Sequence, residues 1–239
     1  PRLRELAAAG HEIACHSFHH YRANSLSRER FRAEIERAKA TLEAAVGLEV
    51  RGFRAPEWSL RDIANPRLEI VAEAGFAYDS SLVPAAGAGS SANPQRPVRI
   101  TWPGGSSLIE IPPLTWGGAL RLPAGGWCGR AAAPRWILAA ARGQLRRGGL
   151  PLLVVHPWEL VGRAVPGFLT GFARFFHEAA REEFGERFRI TLAGLPWRTL
   201  ASAAELDQLP ERTERMLDPG FLLQPAPGNV VLPSPEAGA

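Results

Sequence analysis

Residues 11–20 read "HEIACHSFHH", a β-prone apolar run that ends in three histidines within five positions, in a chain with six histidines in all. Gly10 just before it is a natural helix stop, and the run itself has strand character. The stretch therefore predicts a strand that delivers His16, His19 and His20 to its C-terminal end. Two imidazoles four residues apart can face one point if the chain makes a helical turn after His16. The spacing leaves two pairings open, His16 with His20 and His16 with His19. Neutral imidazoles bind zinc at about 2.0–2.1 Å, and a catalytic zinc usually takes three protein ligands. The bland alternative is a group of surface histidines at a strand end. Cys15 alternates away from His16 along the strand and is expected to face the core, which argues against a Cys–His nucleophile pair.

The same pattern recurs further along. "GFRAPEWSL" (52–60) is a short strand running into a proline-containing loop, with Arg54 at its end. "PLLVVHPWEL" (151–160) is an apolar strand that stops at His156. Between these lie helices with legible punctuation. Ser27 caps a run in which Phe31, Ile35, Ala38, Leu42 and Val46 follow helical spacing until Gly47. Asn65 caps a second helix with Pro66 at its first position, and a third follows Pro134. "FAYDSS" (76–81) and "SLIEIPPL" (107–114) read as strands, with a hairpin expected around "VRITWPGG" (98–105). Residues 168–185 read as an amphipathic helix, and 187–206 as a last strand and helix. Alternating strands and helices predict parallel strands under covering helices, with a functional face at the strands' C-terminal ends. His16, Arg54 and His156 each fall at such an end.

The 239 residues suffice for one large domain with a sizeable core. Hydrophobic and charged contents of 46% and 22% are those of a globular protein. No apolar run reaches the roughly eighteen residues of a membrane span. "PRLRELAAAG" lacks a signal-peptide core and reads as a helix already under way, so the chain is expected to be a fragment. The net charge of +4 comes almost wholly from arginine. Those arginines are interspersed with acids, as on solvated helix faces, and nucleic-acid binding is not expected. Cys15 and Cys128 make no disulfide framework, and reduced thiols point to the cytoplasm rather than the periplasm. The catalytic region is expected over residues 1–206, with a Pro-rich, mostly disordered tail over 207–239.

In order, "GHEIACHSFHH", "GFRAPEWS" and "LLVVHPWE" resemble the polysaccharide deacetylase family, the group of the nodulation-type chitooligosaccharide deacetylases. His16, Ser17 and His20 match its His-Ser/Thr-x-x-His element, Arg54 and Pro56 its Arg-x-Pro element, and Leu153 and His156 its Leu-x-x-His. "FRAP", "AGFAYDSS", "IEIPPLT" and "HPWE" look like the exosortase-associated branch linked to exopolysaccharide production. The resemblance implies an α/β fold, a distorted (β/α)7-type barrel. It also implies a divalent metal, usually Zn2+, and hydrolytic removal of N-acetyl groups from N-acetylhexosamine units of a polysaccharide. Carried over by position, His16 and His20 are metal ligands, Arg54 orients a base carboxylate and His156 is the general acid. Ser17 either hydrogen-bonds within the metal loop or is a plain turn hydroxyl. Asp79 either shapes the site or caps a turn, and Glu110 is open. Trp58 and Trp158, just beyond Arg54 and His156, together with Pro56, are candidates for the sugar subsite; core packing is the alternative for either ring.

The family's Asp-Asp element, which supplies the base and the third ligand, has no match. The four aspartates are Asp62, Asp79, Asp207 and Asp218, none adjacent to another and none before His16. A barrel without its first strands, poorly active as it stands, is the expectation. Two alternatives share these residues: a small-amide hydrolase of the allantoinase-like kind, and a glycan-binding pseudoenzyme.

Overall fold

The computed structural model describes residues 2–160, 170–197, 199–201 and 229–231. The chain divides into two compact units, residues 1–112 with 198–239, and residues 113–197.

The first unit opens with α1 (Arg2–Ala8) and α2 (Arg28–Val46). α2 starts where the Ser27 hydroxyl accepts the Arg30 N–H and stops where Gly47 turns left-handed, at φ 74°. Phe31, Ile35 and Ala38 form its buried stripe, as the helical period requires. Then come β1 (Gly52–Phe53), α3 (Arg67–Glu73), β2 (Tyr78–Asp79), β3 (Val98–Thr101) and β4 (Ser107–Glu110). The Asn65 side chain accepts the Arg67 N–H at 3.0 Å, which fixes the entry to α3. β1, β2 and β4 run parallel, while β3 folds back on β4 as an antiparallel hairpin. Phe31, Ile35, Val50, Phe53, Leu68, Val71, Phe76, Ile100 and Leu108 fill the core. Each such side chain contributes about 1.5–3 kcal/mol by leaving water.

The second unit holds the β5 (Thr115–Trp116) and β6 (Leu122–Pro123) hairpin, α4 (Gly126–Ala131), α5 (Pro134–Arg146), α6 (Pro157–Leu160), α7 (Gly171–Glu178) and α8 (Phe184–Ala193). Its core gathers Leu114, Ala124, Ala132, Ile137 and Ala141. Last in the chain, β7 (Asn229–Val231) belongs to the first unit and pairs parallel with β3. The first unit's sheet therefore has the order β1-β2-β4-β3-β7. The rest of the 207–239 tail lies outside the described residues.

Parallel strands with covering helices are present as expected, but among the described residues the strands form an open sheet rather than a closed barrel. Three strand expectations are corrected. In 11–16 only Cys15 is in register, bridging Phe53 through Cys15 N–H to Gly52 O (2.8 Å) and Arg54 N–H to Cys15 O (3.0 Å). The next turn, with Ser17 at φ 69°, ends the ladder. In 151–156 only Val154 forms a bridge, to Gly125. Residues 187–193, strand-like by composition, are helical in α8, where Phe184 and Thr191 are buried; tertiary packing overrides a weak β preference. No described helix is long and apolar enough to cross a membrane.

Candidate active site residues

The bridge at Cys15 fixes where the histidine loop leaves the sheet. Cys15 itself is buried, and burial pushes its thiol up to about 11, so it is no ready nucleophile. Beyond it, Ser17 and His20 both have left-handed backbones, φ 69° and 62°. Such a conformation costs a non-glycine residue about 1–2 kcal/mol. Glu34, projecting from α2, holds the loop in place. Its Oε1 accepts the Ser17 hydroxyl (2.8 Å) and the N–H groups of Phe18 (3.0 Å) and His19 (2.5 Å). Its Oε2 lies 2.9 Å from His19 Nδ1. Burial raises the Glu34 carboxyl, but the hydrogen bonds from His19 and Ser17 outweigh it and hold the group below its usual range.

The loop brings the His16 and His20 rings together, centroids 5.0 Å apart at 77°. His19 is instead tied to Glu34 and stacked on Tyr21 at 5.3 Å. The geometry thus selects the first of the two pairings. His16 Nδ1 lies 2.7 Å from the Arg54 carbonyl oxygen. A carbonyl can only accept, so Nδ1 carries a proton, and in a neutral ring this places the lone pair on Nε2. That is the tautomer a metal ligand needs. Among the described residues no third His, Cys, Asp or Glu joins the pair. The described residues thus bring two imidazoles together, short of the three protein ligands that a catalytic zinc usually takes.

Arg54 follows β1. Its Nε donates to Ser80 O (2.9 Å) and its Nη2 to Ser80 Oγ (3.1 Å). Behind it, Asp79 and Glu110 stand directly opposite each other on β2 and β4, both fully buried. Asp79 accepts the Ser81 hydroxyl (2.7 Å) and N–H (3.0 Å), and Ser81 Oγ accepts the Ala55 N–H at 2.8 Å. The "FRAP" and "YDSS" segments are thereby stitched together. Glu110 Oε1 accepts the Leu82 N–H at 3.0 Å, while among the described residues its Oε2 receives no N–H or hydroxyl donor. Burial pushes both carboxyls up. Glu110 is driven further by the Asp79 charge. Burial also lowers the Arg54 guanidinium, and Asp79 and Glu110 counteract this. Pro56 is buried beside this network, and the half-exposed Trp58 follows a strained Glu57 (φ 52°) that pairs with Arg22 at 2.7 Å.

His156 belongs to the second unit, immediately before α6, and its side chain is 49% exposed. Glu159 Oε2 accepts the His156 backbone N–H (2.7 Å) and faces His156 Nδ1 (3.1 Å). The other Glu159 oxygen pairs with Arg130; both side chains are 1% exposed. Burial raises the Glu159 carboxyl, but His156 and Arg130 outweigh it and hold the group low. The Trp158 ring stacks on His177 at 3.9 Å and on His156 at 5.7 Å, with the Arg130 guanidinium 5.0 Å above it. Its ring is therefore engaged within its own unit. His177, on α7, is part of this stack.

Glu34 and Glu159 were not singled out from sequence. The one signal for Glu34 is a carboxylate falling within the apolar stripe of α2, beside Phe31, Ile35 and Ala38. Glu159 lies three residues after His156, one helical turn, within reach of its backbone.

Residues 1–78 match the polysaccharide deacetylase family model. Two solved structures resemble the fold of the chain. A Mycobacterium smegmatis protein assigned as a polysaccharide deacetylase is 22% identical, with 90% of this chain and 70% of that one covered and a TM-score of 0.51. The 4-alpha-glucanotransferase of Thermococcus litoralis is 16% identical, with 96% of this chain but 31% of that one covered, also at 0.51. At such identities the likeness is one of fold. No curated protein sequence matches the chain.

Proposed function

We propose that this chain serves hydrolytic removal of N-acetyl groups from N-acetylhexosamine units of a polysaccharide, in exopolysaccharide production. The observation that carries the reading is the approach of the His16 and His20 rings, with His16 held through Nδ1 by the Arg54 carbonyl. These two imidazoles would hold a divalent cation, Zn2+ first, together with a ligand beyond those described. When bound, such a cation supplies Lewis acidity towards the amide carbonyl and its water. Arg54, locked on Ser80, presents a fixed cation beside the loop for orienting a carboxylate or the substrate. Trp58 offers an aromatic face for a sugar ring. In the second unit, Glu159 orients His156 through Nδ1, which leaves Nε2 to deliver a proton to the departing amine.

The test is acetate release from N-acetylchitooligosaccharides, alongside metal content, for the chain with Zn2+ or Co2+. His16→Ala and His20→Ala should each lose cation and activity together, whereas His156→Ala should keep the cation and lose turnover. Oligosaccharide binding without acetate release would replace the reading with a glycan-binding one. Release of product only from small amides would replace the substrate class.

A further inference from the structure

Glu34 sits on a rigid platform. α2 is anchored in the core by Phe31, Ile35 and Ala38 on either side of it, and the Glu34 carboxylate is nine-tenths buried. From there it gathers the donors of three consecutive residues, Ser17, Phe18 and His19, lying between the two histidines. Both of its oxygens are used in doing so, which leaves it an organiser rather than a ligand. His16 has a separate anchor, the Arg54 carbonyl. His20 reaches its place beside His16 only through the path of residues 17–19, with left-handed turns at both Ser17 and His20. Neither residue is glycine, so both turns lie in a region that non-glycine residues uncommonly adopt, though histidine does so more readily than serine.

We propose that Glu34 is a positioning residue for the His16–His20 pair, its carboxylate clamping residues 17–19 in the strained path that brings the two rings together. The loop role stands on the hydrogen bonds alone; its consequence for a bound cation rests on the function proposed above. Removing a group that orients metal ligands typically costs 10–100-fold in metal affinity.

The experiment compares Glu34→Ala and Glu34→Gln with wild type in the whole chain, by amide hydrogen exchange and by Co2+ titration. Glu34→Ala should lose most of the exchange protection at Phe18 and His19 while the amides of β1 and β2 keep theirs, and Co2+ affinity should fall about 10–100-fold. Glu34→Gln retains an acceptor oxygen and should recover most of both. Wild-type protection at Phe18 and His19 in Glu34→Ala would overturn the proposal. So would lost protection with unchanged Co2+ affinity. If wild type binds no Co2+, the cation reading fails, and the exchange measurement decides the clamp by itself. If Glu34→Ala does not fold, Ser17→Ala takes its place: protection at Phe18 and His19 must fall, and an unaltered pattern overturns the clamp.

Discussion

Glu159 reaches the imidazole of His156 with one oxygen and the guanidinium of Arg130 with the other, and both its charge and that of Arg130 are almost fully out of water. Removing one member of a buried pair strands the other, at a cost of about 3–5 kcal/mol. Glu159→Ala is therefore expected to destabilise the chain by about that amount in urea unfolding, and to free the His156 ring, visible as a changed imidazole tautomer by nitrogen NMR. A second residue-scale prediction concerns Glu110. Its folded-state carboxyl lies well above the ordinary 4.5, because it is buried beside Asp79. A raised carboxyl contributes stability below its unfolded value, and that stability is lost as pH rises towards the folded value. Glutamine mimics the protonated form, accepting from Leu82 N–H and donating to Asp79. Glu110→Gln should thus gain stability relative to wild type as pH rises above about 4.5; equal pH slopes for the two proteins would contradict a raised Glu110 carboxyl.

At the scale of elements, β1 and β2 approach more closely than side chains normally permit. A Cβ on Gly52 would lie 2.2 Å from the ring of Tyr78, whose hydroxyl donates to Glu12 Oε1 at 2.7 Å. The ring cannot withdraw without giving up that bond, and burial with the Glu12 contact already drives its phenol far above its usual range. Gly52→Ala is expected to cost about 1–3 kcal/mol through overpacking, read as a lower thermal midpoint. Since β1 also carries the Cys15 bridge and Arg54, the same variant should weaken exchange protection of the Cys15 and Arg54 amides. An unaltered midpoint would show that the sheet yields easily there.

For the whole molecule, the histidine pair and the His156 cluster lie in different compact units. A ligand that binds only the folded chain stabilises it by mass action, about 2.7 kcal/mol at a hundredfold excess over Kd. Zn2+ at such an excess should raise the thermal midpoint of wild type and of His156→Ala alike, and leave His16→Ala with His20→Ala unmoved. A shift that survives loss of both histidines would place the cation elsewhere.

Local signals made much of this legible in advance. Ser27 and Gly47 bound α2, Asn65 opens α3 and Pro134 opens α5, because a cap or a fixed φ acts on its immediate neighbours whatever the fold. The "VRITWPGG" hairpin and the three motif segments were readable for the same reason. What the chain composition could not supply were facts that depend on partners tens of residues away. The pairing of His16 with His20 rather than His19 depends on Glu34 and on the Arg54 carbonyl. The acid pair of Asp79 and Glu110 depends on a strand register. The same holds where expectation failed: 151–156 and 187–193 look like strands by their β-branched content, but a strand is stabilised by a partner ladder. Among the described residues Val154 finds a single bridge, whereas 187–193 packs as a helix. Sequence by itself determined the caps, the helices α2, α3 and α5, and the identity of the candidate side chains; tertiary structure alone decided which of those side chains meet, because hydrogen-bond partners and burial are properties of the folded surroundings.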